Sequence, residues 1–327
     1  MKKAIISTIL AAAMTICMTT AAFASDDVLA NLGNIDDIKD AEVTIGLSEM
    51  SLTTEYQANL TKAVQKYFEE NFPNAKLVVT DADADAATQV SQVENLISQG
   101  VDAILMCPYD RNGCMPADEA AAAAGIPLIE ICQETDSPDR VSFVGSLHYD
   151  SGVMTMQAIA DKLGNQGKIV FLEGPIGQDS ALARTEAAKE IIDANEGLEI
   201  VVEKVCDWDR AAAMSAVENI IQSGTEFDAI YAESDSMALG AMEALRGTEL
   251  EEKVIVGGID LIEDAYNSIK NGGMYCTSFQ NFIKQAEVGS EIAVRAALGE
   301  EIEDTYVIPF ELVTGENIAE YDYVFGN

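Results

Sequence analysis

Short apolar runs alternate with amphipathic helical patterns along nearly the whole chain, and this alternation constrains the fold more than any other feature. Strand candidates are Glu42 to Leu47, Lys76 to Val79, Val101 to Met106, Ile126 to Ile131, Val141 to Val144, Lys168 to Leu172, Glu199 to Val205, Phe227 to Ala232, Lys253 to Val256 and Met274 to Phe279. Most are continuously apolar, the pattern of parallel strands covered on both faces. Between them, Leu60, Val64 and Phe68 recur every four residues. Val90, Val93 and Ile97 share a stripe, as do Val153, Met156, Ile159 and Leu163, and again Met214, Val217 and Ile221. This spacing predicts βαβ units and parallel sheets. About ten strands suffice for two sheets, and 327 residues suit two domains.

The amino terminus reads as an export signal. Lys2 and Lys3 precede an apolar stretch from Ala4 to Met18, and Ala22-Phe23-Ala24 supplies small residues before Ser25. The stretch is too short for a membrane span, and no later run is long enough for one. Met14-Thr15-Ile16 before Cys17 lacks the small residue that lipoprotein processing needs, so no lipid anchor is expected. A doubly wound chain outside the cytoplasm has little nucleotide to bind, which favours ligand capture over chemistry. The formal charge is −37, and losing Lys2 and Lys3 without any acid makes it −39. Phosphate backbones and anionic membranes repel such a surface, so nucleic acid is excluded as a partner.

Five cysteines remain beyond the signal: Cys107, Cys114, Cys132, Cys206 and Cys276. The odd count and wide spacing give neither a disulfide framework nor a zinc pattern. Cys107 and Cys132 both fall at strand ends, so one bridge is within reach, but buried free thiols are the expected state. Asp81-Ala82-Asp83-Ala84-Asp85 starts like a calcium loop, yet Ala86 and Gln92 occupy the places that need Gly and Glu, so it reads as a solvated loop. Gly174-Pro175-Ile176-Gly177 follows a strand. It either presents backbone N–H groups to a ligand or forms a tight turn. His148 is the sole histidine and reads as a crossover-loop residue. With no Gly-x-Ser-x-Gly elbow and no second histidine, the chain is not expected to be an enzyme, and no metal or cofactor is called for. Trp208, the sole tryptophan, stands in Cys206-Asp207-Trp208-Asp209-Arg210 between a strand and a helix, where open α/β sheets bind ligands. Its flat face suits a sugar ring or another small cyclic body.

Several segments in order resemble the ribose/galactose-binding family of periplasmic solute-binding proteins. They are Ile45-Gly46-Leu47, Leu96 to Ile104, Ala124-Gly125-Ile126-Pro127-Leu128-Ile129, Asp207-Trp208-Asp209-Arg210-Ala211, Asp228 to Ala241 and Val256-Gly257-Gly258-Ile259-Asp260. The resemblance implies an α/β fold of two Rossmann-like lobes with parallel sheets, joined by a three-crossover hinge near Ser146-Leu147, Gln280-Asn281 and Pro309-Phe310. Residues 1–24 would be the signal peptide and 25–40 an N-terminal extension. The first lobe would take 41–146 with 281–309, and the second 147–280 with 310–327. Ligand positions implied by the resemblance are Thr54, Tyr56 and Gln57 after the first strand, Cys132 and Gln133 after the fourth, Arg184, Trp208, Ser234, Asp260 and Gln280. Tyr56 and Trp208 would face each other across a ring, and Asp260 would accept hydrogen bonds from hydroxyls. Arg184 resembles the arginine of the Gly-rich loop. Ser234 stands where relatives usually have Asn. Ribose binders carry Asp-Arg where this chain has Cys132-Gln133, which moves it away from ribose and toward another sugar or polyol.

The implied function is capture of a small sugar or polyol outside the cytoplasm, free in the periplasm and monomeric, for delivery to an ABC transporter permease. The same fold could instead bind a non-sugar cyclic solute or present ligand to a chemoreceptor or kinase. A related repressor is excluded by the export signal and by the absence of a basic helix-turn-helix before the first strand.

Overall fold

The computed structural model describes residues 28–29 and 32–326; the export-signal reading lies outside the described residues. Two six-stranded sheets organise the chain. The first contains β1 (Thr44–Glu49), β2 (Lys76–Asp81), β3 (Ala103–Met106), β4 (Leu128–Ile131), β5 (Ser142–Gly145) and β11 (Thr305–Val307), in the order β2-β1-β3-β4-β5-β11. The second contains β6 (Gly167–Glu173), β7 (Leu198–Val205), β8 (Ala229–Ala232), β9 (Ile255–Asp260), β10 (Cys276–Phe279) and β12 (Glu311–Thr314), in the order β7-β6-β8-β9-β10-β12. Every pairing is parallel except that of β10 with β12.

Helices fill the connections: α1 (Glu55–Asn71), α2 (Ala86–Gln99), α3 (Met115–Ala124), α4 (His148–Lys162), α5 (Asp179–Asp193), α6 (Arg210–Gln222), α7 (Asp235–Leu245), α8 (Glu263–Lys270), α9 (Phe282–Ala297) and a terminal turn, α10 (Asp322–Phe325). They lie on both faces of each sheet. In the first, Ile45, Leu47, Leu105 and Ile129 bury against Leu60, Val64 and Ile292, while Ile104 and Met106 bury against Val93, Leu96 and Ala117. In the second, Ile169 and Phe171 face Met156 and Ile159, while Val170 and Leu172 face Val217 and Met237. Coverage of both faces is why the strands read as apolar runs.

The chain passes between the sheets three times: from β5 into α4, from β10 into α9, and from β11 into β12. The sequence pattern misses β11 and β12. They are three and four residues long, lie at the sheet edges and are only partly buried, so they carry no apolar run. The β9 candidate stops at Val256, but the strand continues through Gly257 and Gly258 to Asp260. These glycines punctuate the pattern because packing demands them: a Cβ on Gly258 would lie 2.3 Å from Asp235 Oδ1. In each sheet the order reverses beside the first strand. The ends of β1, β4, β8, β9 and β10 converge on the space between the sheets, where doubly wound folds hold ligands.

Candidate ligand-binding cleft

All ten residues singled out by the resemblance line one cleft between the two lobes, of about 430 Å³ including its open mouth. From the first lobe come Thr54, Tyr56 and Gln57 at the start of α1, and Cys132 and Gln133 after β4. From the second come Arg184 on α5, Trp208 before α6, Ser234 before α7, Asp260 at the end of β9 and Gln280 after β10. Five more residues share the lining: Met50, Glu55, His148, Ser180 and Ser236. None of these five carries a local pattern that marks it. His148, a crossover residue by sequence, is the first residue of α4 and is buried.

Arg184 is the hub. It stands on α5, about two turns beyond the Gly-rich loop it was expected to belong to. Its Nη1 donates to Glu233 O at 2.6 Å and its Nη2 to Gln280 Oε1 at 3.0 Å, and Nη2 lies 3.5 Å from Asp260 Oδ1. Nη2 also lies 3.5 Å from His148 Nδ1, while His148 Nε2 is 2.7 Å from Cys132 O. A carbonyl only accepts and a guanidinium only donates, so the proton is on Nε2 and Nδ1 faces Arg184. Burial, and then the Arg184 charge, push the His148 pKa down to about 3, so the ring is neutral at ordinary pH. A neutral imidazole thus links the first lobe's Cys132 to the second lobe's arginine.

Asp260 is buried, and burial pushes its pKa well above the usual carboxylate range, with Arg184 pulling the other way. Behind it, Asp235 accepts from Thr277 Oγ1 at 2.7 Å and Ile262 N at 3.1 Å, and burial raises it to about 7. Cys132, Asp207, Trp208, Asp260 and Leu261 all have positive φ. At Cys132, φ is 70° and Gln133 N donates to Ile131 O at 2.8 Å, a γ-turn geometry that is costly for a non-glycine residue. Such strained residues gather where a site dictates backbone shape.

The two aromatic residues enter from opposite lobes. Tyr56 is fixed within its own lobe: its ring meets Phe282 edge-on at 6.3 Å and its hydroxyl donates to Gln285 Oε1 at 3.4 Å. Trp208 is half-buried, its Nε1 donates to Gln178 Oε1 at 2.7 Å, and the Arg184 guanidinium carbon lies 5.8 Å from its ring centre. The Gly-rich loop supports this ring and offers no anion cradle at Gly174, whose N–H is taken by Glu233 Oε2 at 2.7 Å. Ser234 caps α7, its side chain accepting from Met237 N at 3.4 Å.

Outside the cleft, Asp85 caps α2 by accepting from Thr88 N at 2.7 Å, as a loop before a helix should. Among the described residues, no group of three or more His, Cys, Asp and Glu is placed to hold a metal ion. The five described cysteines are buried free thiols.

Two α/β lobes with parallel-dominated sheets, three connections and a polar cleft between them define the type I solute-binding class. A family model described as a periplasmic binding protein domain matches residues 45–301, and the chain belongs to this family of binders, which are not enzymes. A relative from Rhizobium meliloti named for rhizopine binding is 33% identical over 285 residues, 85% of this chain and 92% of the relative. The ribose import binding protein of Bacillus subtilis is 33% identical over 273 residues, 84% of this chain and 88% of that protein. Among solved structures, an ABC transporter solute binding protein from Bacillus halodurans with bound myo-inositol is 36% identical, with a TM-score of 0.84, covering 88% of this chain and 99% of that one.

Proposed function

We propose that this chain is an exported, monomeric solute-binding protein, free in the periplasm, that captures a small ring polyol or sugar and delivers it to an ABC transporter permease. The lobes would be 41–146 with 281–309 and 147–280 with 310–327, closing on the ligand by hinge motion. The observation that carries the reading is the grouping of Asp260, Arg184, Gln280 and Trp208 in one interlobe cleft. Carboxylate, guanidinium and amide suit ring hydroxyls, and the indole suits a ring face. Relatives that bind ribose, and one with bound myo-inositol, support the ligand class. Cys132-Gln133 leaves no charged clamp after β4, which favours a cyclitol-like ring over ribose.

The energetics are compatible. Neutral hydrogen bonds contribute about 0.5–1.5 kcal/mol and those to a charged group about 1.5–3. Aromatic contact adds about 0.5–1.5 kcal/mol. Five or six such contributions reach roughly 8 kcal/mol, a micromolar dissociation constant.

The test is titration of myo-inositol, pentoses, hexoses and linear polyols, read by calorimetry, thermal shift and the emission of Trp208. Micromolar binding by a ring polyol or sugar, with a change in Trp208 emission, is expected. Absence of binding across the panel up to millimolar concentrations overturns the ligand class. A ligand that raises the melting temperature without altering Trp208 emission overturns the indole's role.

A further inference from the structure

Beneath the cleft wall lies a second chemical feature that ligand binding alone does not use. β3 and β4 pair in parallel with Met106 opposite Glu130, so Cys107 stands opposite Ile131 and Cys132 is one residue further on. Neighbouring strands about 4.8 Å apart, with a rise of about 3.3 Å per residue, put the two Cα atoms about 6 Å apart. That separation lies within the range a disulfide spans. Burial first, and then the neighbouring Cys132 thiol, raise the proton affinity of Cys107. Cys132 lines the cleft, so it is reachable whenever the lobes part, and Cys107 is buried at the end of the neighbouring strand.

The pair is wired into the site. Gln280 Nε2 lies 3.2 Å and Gln57 Nε2 3.7 Å from Cys132 Sγ, and both amides line the cleft. The other end of the Gln280 amide receives Arg184 Nη2. Drawing Cys132 Sγ toward Cys107 removes an acceptor from two cleft amides and loosens the support of Arg184.

We propose that Cys107 and Cys132 form a reversible disulfide that lowers ligand affinity, and that bound ligand protects the pair by closing the cleft. Its occurrence in the cell rests on the export reading, because disulfides persist in oxidising compartments. In the first step the Cys132 thiolate attacks a sulfur of an external disulfide, forming a mixed disulfide and expelling one thiolate. The Cys107 thiolate then attacks the Cys132 sulfur and expels the second. The protein loses two protons and two electrons, and the external disulfide is reduced to two thiols.

The experiment exposes the full-length wild-type protein, without added ligand, to hydroxyethyl disulfide. Free thiols are then alkylated, the digest is mapped by mass spectrometry, and myo-inositol is titrated into oxidised and reduced samples. A linked pair of peptides containing Cys107 and Cys132 is expected, with at least tenfold weaker binding that a reductant restores. C107S is expected to bind alike in oxidant and reductant. Absence of this linkage, linkage between other cysteines, or linkage with unchanged affinity overturns the proposal. If myo-inositol does not bind the reduced protein, the tightest panel member replaces it. A reduced protein that binds no panel member counts against the proposed function, and the linkage map still decides the thiol pair.

Discussion

At Gly174 a side chain as small as alanine would place its Cβ 2.0 Å from Cη2 of Trp208. G174A therefore displaces the indole or the loop and strains the Trp208–Gln178 hydrogen bond. Overpacking of this kind costs about 1–3 kcal/mol. The expected outcome is a shifted Trp208 emission in the free protein and weaker ligand binding, measured by fluorescence and calorimetry. D260A removes the cleft's buried carboxyl and leaves Arg184 short of a charge partner. A loss of about 1.5–3 kcal/mol, roughly 10- to 150-fold in affinity, is expected by calorimetry. Normal binding by D260A would show that Asp260 accepts no ligand hydroxyl. Trp208 and Asp260 were legible in the sequence because each sits in a segment matching the family, at or just beyond a strand's end. His148 was not: its bonds reach back 16 residues to Cys132 and forward 36 to Arg184, and nothing local to it encodes either contact.

At the scale of elements, helix α7 shows how one residue serves fold and site together. Ser234 follows β8 by two residues, caps α7 and lines the cleft. S234A is expected to lower stability by about 0.5–2 kcal/mol, read as a drop in melting temperature, while S234N keeps the cap and most of that stability. If S234A melts like the wild type, the cap contributes nothing. The helices and central strands were legible because amphipathic stripes and apolar runs are local periodicities. β11 and β12 were not, because an edge strand of three or four residues is defined by the neighbour it pairs with. The place of Arg184 on α5, not on the loop before it, depends likewise on where the helix begins.

For the molecule as a whole, closure of the lobes also rests on contacts far from any ligand. Arg111, between β3 and α3, donates from Nη1 to Asp179 Oδ1 at 2.9 Å and from its backbone N to Gly177 O at 3.2 Å, joining the lobes at the rim. The arginine is 37% exposed, so solvent screens the pair to about 0.2–1 kcal/mol. R111A is expected to weaken binding by up to about fivefold, with a smaller loss at high salt, in calorimetry at two ionic strengths. Buried carboxyls set the response to pH. Burial raises Glu49 and Glu130 to about 8, and Asp118, Glu233 and Asp235 to about 7. These groups bind protons in the folded state that the unfolded chain has released, so stability falls as pH rises from about 4 toward 8. His148, with its pKa lowered to about 3, works the other way below about pH 6.5. Five carboxyls against one imidazole leave the carboxyls dominant. The melting temperature is therefore expected to be higher near pH 5.5 than near pH 8.5, with a shallower slope in E49Q, whose parent carboxyl oxygens have no hydrogen-bond partner. A melting temperature that rises over that interval would contradict this. The sequence by itself determined the βαβ alternation, and with it the two-lobed class and the strand ends that bear the site, because burying one stripe of a helix and both faces of a strand is written in local spacing. Only the tertiary structure decided which strand ends meet. Arg184 finds Glu233 49 residues away and Gln280 96 residues away, and Cys132 finds Gln280 148 residues away. Hydrogen bonds reward placement to a fraction of an ångström, and at such separations that placement comes from the packing of two sheets against their helices.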